Sequence, residues 1–206
     1  PARAQPEPPP RDEGGALVLA DGADYRVVLG GYLQGDARWS SGRPSVGEDG
    51  VLLRRARLVL DVGTPQGWAL RLQPDFGQGR ALVQDAYVAW TRRGAGVRMG
   101  RFRPAFGVER TQSSATLLFP ERSLLNSFMP SRLSGAQVTV ETRPATLSLG
   151  AFRSALAADQ AIDTDGDPRG VPVGGHDVVA QARWRLIARP AGAPPRLDLH
   201  VGAMAG

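Results

Sequence analysis

The chain has 206 residues, a formal net charge of +5 and no cysteine, which excludes disulfides, thiolate metal sites and cysteine nucleophiles. Its 26 glycines and 17 prolines disfavour helices and supply turns, so many short elements are expected. The sequence has no apolar run of about 18 residues or more, and it therefore predicts no transmembrane helix.

The sequence pattern changes from Tyr25 onward. Residues 1–15 are proline-rich and charged without apolar periodicity, which predicts a disordered tether. In residues 26–39, apolar side chains such as Leu29 and Leu33 stand at odd-numbered positions, and polar ones such as Gln34 stand at even-numbered positions. Because alternate side chains of a strand point to opposite faces, this pattern predicts a strand with one apolar and one polar face.

Further segments alternate in the same way along the chain. Leu52 and Leu58 fall on the side opposite Arg55 and Arg57, although Arg54 interrupts that apolar side near the start of its segment. The additional segments are 51–62, 67–75, 82–91, 95–103, 135–142, 145–153, 178–188 and 196–202. The sequence thus predicts about nine strands, many of them near the length of a tilted transmembrane strand, about 9–11 residues.

Alternation alone leaves two architectures open. A soluble β-sandwich alternates with its apolar face inward, and a membrane barrel alternates with its apolar face outward. The barrel is favoured by apolar rows that contain few Phe or Ile, by Trp39, Trp68 and Trp90 at strand ends, and by arginine recurring in mid-strand. Residues 16–206 are therefore predicted to form an all-β fold, an antiparallel transmembrane β-barrel.

One long segment does not alternate. Residues 103–134 contain Pro104, Pro120 and Pro130 together with aromatic and arginine side chains. Because long loops in compact domains are usually functional, this segment is predicted to fold inward as a constriction loop. The alternative is a surface loop with a short helix at about 121–127.

Several motifs carry a resemblance to a known family. They are LRRAR at 53–57, RLQPDFG at 71–77, QDAY at 84–87 and GRFRPAFGVER at 100–110. In this order, they are similar to segments of the phosphate-selective porin O and P family. The resemblance implies a sixteen-stranded outer-membrane barrel, commonly a homotrimer, with an inward loop and arginines along an anion path. About nine strands would be the N-terminal part of such a barrel; a closed eight- or ten-stranded barrel is the alternative.

The predicted function is passive diffusion of small anions, phosphate or polyphosphate, through an arginine-lined lumen in the bacterial outer membrane. All 25 basic residues are arginine, whose planar fork of donors suits phosphate, although a GC-rich genome also favours arginine codons. The predicted anion contacts are Arg55, Arg57, Arg71, Arg103, Arg110, Arg183 and Arg185. Asp61, Asp75 and Asp85 share the polar parity and are expected to orient the arginines.

The predicted partners are outer-membrane lipid, small anions and two further copies of the chain. No enzyme activity, catalytic residue, metal, cofactor or nucleic-acid partner is predicted, because the sequence assembles no nucleophile with a base and no set of metal ligands. The alternative function is that of a soluble β-sandwich module that binds acidic ligands such as glycans.

Overall fold

The computed structural model describes residues 16–38, 50–79, 81–106, 132–153, 175–187 and 197–205. Within these residues the strands are β1 (Leu17–Asp21), β2 (Arg26–Arg38), β3 (Gly50–Gly63), β4 (Trp68–Asp75), β5 (Leu82–Arg92), β6 (Ala95–Phe102), β7 (Leu133–Glu141), β8 (Ala145–Arg153), β9 (His176–Ile187) and β10 (Leu197–Ala205). A short 3-10 helix, Gly77–Gly79, follows β4. None of the described residues forms a helix that is long and apolar enough to cross a membrane.

All nine predicted strands are present, and β1 is an additional one. The sequence of β1, LVLAD, is short and does not alternate, so its strand character was not predicted. β1 is instead held by antiparallel pairing with β2. The predicted tether, residues 1–15, and most of the predicted constriction loop lie outside the described residues.

The strands form one antiparallel sheet in which each strand pairs with its neighbours in the chain, from β1 to β10. Four short connections lie at one end of this sheet: 22–25, 64–67, 93–94 and 142–144. Residues 188–196, between β9 and β10, belong to the same end and are a longer stretch of sequence. At the opposite end the strands are separated in sequence by residues 39–49, 76–81, 103–132 and 154–175. Tight turns that predominate at one end of the sheet are typical of outer-membrane barrels.

Burial is inverted relative to a soluble protein. On β3 the whole residue Leu58 is 48% exposed, whereas the whole residue Arg57 is 3% exposed and its cross-strand neighbour Asp75 is 0% exposed. The leucines and valines that alternate with polar residues on β4, β8 and β10 are also exposed. A soluble sandwich needs such rows packed on a second sheet, and the described strands form only one. The fold is therefore all-β, with a lipid-type apolar face and a polar face.

A register shift on β3 departs from the predicted alternation. On β3, Gln34 of β2 pairs with Arg55, but the next residue, Gly35, pairs with Leu53, so Arg54 is the extra residue of a β-bulge. The bulge moves Arg54 onto the polar face beside Arg55, and both are buried. The bulge also places residues 50–53 of β3 on the faces opposite to those that strict alternation predicts. The prediction that Leu52 lies on the apolar face with Leu58 is therefore wrong, since Leu52 pairs with Asp36 on the polar face.

Tryptophan marks the end of the sheet that carries the short turns. Trp68 at the start of β4 pairs with Trp90 near the end of β5, and their ring centroids lie 6.4 Å apart. Trp184 lies near the same end of the sheet, opposite Ala145 of β8. The predicted position of Trp68 and Trp90 at strand ends is confirmed, while Trp39 lies outside the described residues. Aromatic rings at this level suit the membrane–water interface.

Candidate functional site

A buried ion pair forms the centre of the polar face on β3 and β4. Arg57 Nε lies 2.6 Å from Asp75 Oδ2, and the hydroxyl of Tyr32 accepts a bond from the same guanidinium at 2.9 Å. The other carboxylate oxygen of Asp75 accepts from the backbone N–H groups of Ala56 at 3.1 Å and Gly77 at 2.9 Å. The carboxylate thus accepts at least three hydrogen bonds, and Arg57 is held in one orientation.

Two further pairs continue this arrangement toward β7. Arg71 binds Asp61 in a bidentate manner, with N–O distances of 2.8 and 2.9 Å. Arg132, which directly precedes β7, donates from Nε to Asp85 at 2.8 Å. Asp85 also interacts electrostatically with Arg71 and Arg103. The expectation that these carboxylates orient arginines is confirmed for Asp61, Asp75 and Asp85.

The bulge on β3 places two consecutive arginines on the polar face. Arg54 donates to Asp36 Oδ2 at 3.1 Å, and Arg55 donates to the side-chain oxygen of Gln34. A regular strand would point two consecutive side chains to opposite faces, and here the extra residue places both together. The bulge is backed by Gly77, where a Cβ would lie 2.4 Å from the backbone oxygen of Arg54. Only glycine lets the chain pass so close.

The predicted anion contacts fall into three groups. Arg55, Arg57 and Arg71 lie on the polar face, buried and engaged with protein acceptors. Arg103 follows β6 and is half-buried, and Arg183 is half-buried on β9 between Thr146 and His200 of the adjacent strands. Arg110 and the side chain of Arg185 lie outside the described part of the chain. Direct anion contact by these residues stays a prediction.

The polar face also carries an aromatic cluster on β5, β6 and β8. The Phe102 ring makes edge contacts with Tyr87 at 5.9 Å and with Phe152 at 5.4 Å between centroids. The guanidinium carbon of Arg98 lies 4.6 Å from the Tyr87 ring centroid and 5.2 Å from that of Phe102. Between these rings the sheet surface is flat, because Gly100 of β6 pairs with Gly135 of β7.

The segment after β6 turns onto this cluster. The backbone N–H of Ala105 donates to Gln137 Oε1 of β7 at 3.1 Å, and Pro104 is buried. The Phe106 ring packs against the aromatic cluster and lies over Gly202 of β10, where a Cβ would be 3.1 Å from two ring atoms. Residues 103–106 therefore lie on the polar face and connect the region of β6 with β10.

The site combines arginines, the carboxylates that bind them and the aromatic cluster on β5, β6 and β8. Sequence reasoning did not select Arg54, Arg132 or Arg98 as site residues. The break in alternation at Arg54 was the available signal of a bulge, whereas the partners of Arg132 and Arg98 depend on strand pairing. In the described residues no group of three or more His, Cys, Asp or Glu side chains could hold a metal ion.

Comparison with known proteins agrees with this arrangement. The family described as "Phosphate-selective porin O and P" matches residues 27–176, most of the chain. Porin O of Pseudomonas aeruginosa PAO1 is 28% identical over 170 residues, which cover 76% of this chain and 38% of that protein. The chain thus spans well under half the length of this relative. Porins of this kind are proteins of the bacterial outer membrane. The chain belongs to the phosphate-selective porin O and P family, and its sheet is that of an outer-membrane β-barrel protein.

Proposed function

We propose that this chain forms part of the wall of an outer-membrane channel through which small anions, phosphate among them, diffuse passively. The observation that carries the proposal is the inverted burial: arginines and aspartates are buried on one face of a single sheet whose opposite face exposes leucine and valine. In a membrane this arrangement turns the apolar rows to lipid and encloses the charged rows. We therefore infer a channel rather than an enzyme.

The paired arginines provide an environment that an anion can enter and leave. An anion that enters a narrow path loses hydration, which fixed N–H donors and positive charge replace. Two unit charges 4 Å apart interact by about 4 kcal/mol at an effective dielectric near 20, but by only about 1 kcal/mol in bulk water. Aspartates that hold Arg57 and Arg71 reduce the net field, so that binding is moderate and release remains fast.

Residues 103–134 are proposed to narrow the path. Support comes from the start of this segment, since Ala105 bonds to β7 and Phe106 packs over β10 on the polar face. Arg103 enters with it and lies near Asp85. A constriction close to arginines strengthens their effect because it excludes water between charge and ion.

Planar-bilayer recordings test the proposal directly. Under a KCl gradient, the reversal potential of the reconstituted protein is expected to have the sign that indicates preference for chloride over potassium. Its conductance is expected to saturate as the phosphate concentration rises. Arg55→Ala and Arg57→Ala are expected to lower the anion preference. A wild-type channel that prefers cations, with a preference unchanged in both variants, would overturn the proposal.

The assembly that the family implies is also a proposal. The exposed apolar face leaves room for both lipid and neighbouring copies of the chain. We expect a homotrimer in detergent, which chemical crosslinking and light scattering would detect, and a strictly monomeric particle would contradict it.

A further inference from the structure

Arg98 occupies an unusual position among the arginines of the polar face. It lies in mid-strand on β6, on the same face as Gly100 and Phe102, and is half-buried. Its guanidinium carbon lies within 4.6 Å of the Tyr87 ring centroid and 5.2 Å of the Phe102 ring centroid. Both distances are inside the range of cation–π attraction, which extends to about 6 Å. Aromatic faces therefore hold this side chain.

The register neighbours of Arg98 on the adjacent strands offer its N–H groups no carboxylate. Its register neighbour on β5 is Ala89, which has no polar side-chain atom. Its neighbour on β7 is Gln137, whose amide oxygen accepts from Ala105 N and whose amide nitrogen donates to Thr139. Within the described residues Arg98 makes its contacts with the two rings and with no carboxylate.

This environment differs from that of the other arginines described on β3 and β4. Asp75 and Asp61 neutralise Arg57 and Arg71 at 2.6 and 2.8 Å. Tyr87 pairs across the strands with Arg71 on one side and Gly100 on the other, so its ring separates the Arg71–Asp61 pair from Arg98. Among the described residues, the positive charge of Arg98 is thus fixed in place and not cancelled by a carboxylate.

We propose that Arg98 is a direct contact of the permeant anion and a determinant of charge selectivity, with Tyr87 and Phe102 as its positioning residues. The inference rests on the proposed channel function. A ring against the face of a guanidinium leaves the N–H groups in the guanidinium plane, and these suit the oxygen atoms of phosphate. The aromatic contacts also restrict the side chain, so less rotamer entropy is lost when the anion binds.

The test compares four proteins in planar bilayers: wild type, Arg98→Gln, Arg98→Lys and Arg92→Gln. Arg92 is exposed at the end of β5 that carries the short turn, so its variant removes one charge without touching the polar face. Reversal potentials in a KCl gradient give the anion-to-cation permeability ratio, and conductance is then titrated with inorganic phosphate. We expect Arg98→Gln to lower the ratio about fivefold, while Arg92→Gln matches wild type.

Arg98→Lys keeps the charge and separates a folding defect from a loss of contact. It is expected to retain anion preference but to need more phosphate for half-saturation, because an ammonium group lacks the planar fork. If wild type shows no anion preference, the channel proposal itself fails. If wild type prefers anions, and both Arg98→Gln and Arg98→Lys behave like Arg92→Gln, only the assignment of Arg98 is overturned.

Discussion

The carboxylate of Asp75 lies 2.6 Å from Arg57 Nε, directly across the β3–β4 pair, and the two side chains are 0% and 2% exposed. Asp75 therefore neutralises an arginine that water does not reach and also fixes the backbone at Ala56 and Gly77. One carboxylate thus both pairs with an arginine of the polar face and holds the backbone that follows β4. That double role makes Asp75 sensitive to substitution.

Asp75→Asn is expected to destabilise the folded protein by roughly 3 kcal/mol, because it leaves the Arg57 guanidinium buried without a counter-charge. The urea midpoint of unfolding in lipid vesicles measures this loss. Asp24→Asn, in the exposed turn between β1 and β2, provides the matched control and should leave the midpoint unchanged. Equal midpoints for the two variants would show that the pair contributes no stability.

Leu58→Arg and Leu52→Arg test the face exchange at the β3 bulge. Leu58 lies on the apolar face, and an arginine there is expected to cost roughly 2–4 kcal/mol near the bilayer midplane. Leu52 lies on the polar face beyond the bulge, and its replacement should cost less than about 1 kcal/mol. Unfolding in vesicles separates the two cases. Similar losses in both variants would contradict the observed register.

Gly77→Ala is expected to disturb the bulge, because the added Cβ would lie 2.4 Å from the Arg54 oxygen and 2.8 Å from the Arg55 Cα. Overpacking of this kind costs about 1–3 kcal/mol. Gly63→Ala is the control, since a Cβ there meets nothing within 4 Å. The two variants are heated before electrophoresis, and the temperature at which each loses the mobility of the folded protein is compared. An unchanged temperature for Gly77→Ala would contradict the close approach of Gly77 to the Arg54 backbone.

Gly202→Leu is expected to raise single-channel conductance by displacing Phe106 from β10. A Cβ at Gly202 already lies 3.1 Å from the ring, and the further carbons of leucine add overlap that costs roughly 1–3 kcal/mol unless the ring moves. Ala203→Leu places the same side chain on the opposite face of β10 and should leave conductance unchanged. If both variants conduct like wild type, the segment that begins at Arg103 does not narrow the path.

The strands were predictable because alternation depends only on the order of residues in the chain. The placement of Leu58 and Arg57 on opposite faces could be predicted without knowing which strands pair with β3. The structure confirms this placement. β1 was missed because its five residues carry no alternating signal. Its strand character comes from pairing with β2, which is a tertiary contact.

Side-chain partnerships were less accessible than the strands. The carboxylates were expected to hold arginines, but the pairing of Asp85 with Arg132 joins residues that are 47 positions apart. The contact of Arg98 with Tyr87 likewise depends on the register of β5 against β6. The interruption at Arg54 was visible in the sequence, but only the pairing of Gln34 and Gly35 shows that it is a bulge.

The bulge lets the residues that precede it on β3 occupy faces that strict alternation would reverse. Deleting Arg54 would leave Arg55 opposite Gln34 and Leu53 opposite Gly35, so the remaining side chains of the strand would keep their faces. Regular pairing with Arg54 retained would instead move Leu53 from membrane to water and Leu52 from water to membrane. One extra residue therefore acts as a reading-frame change in three dimensions, to which ordinary substitutions have no equivalent.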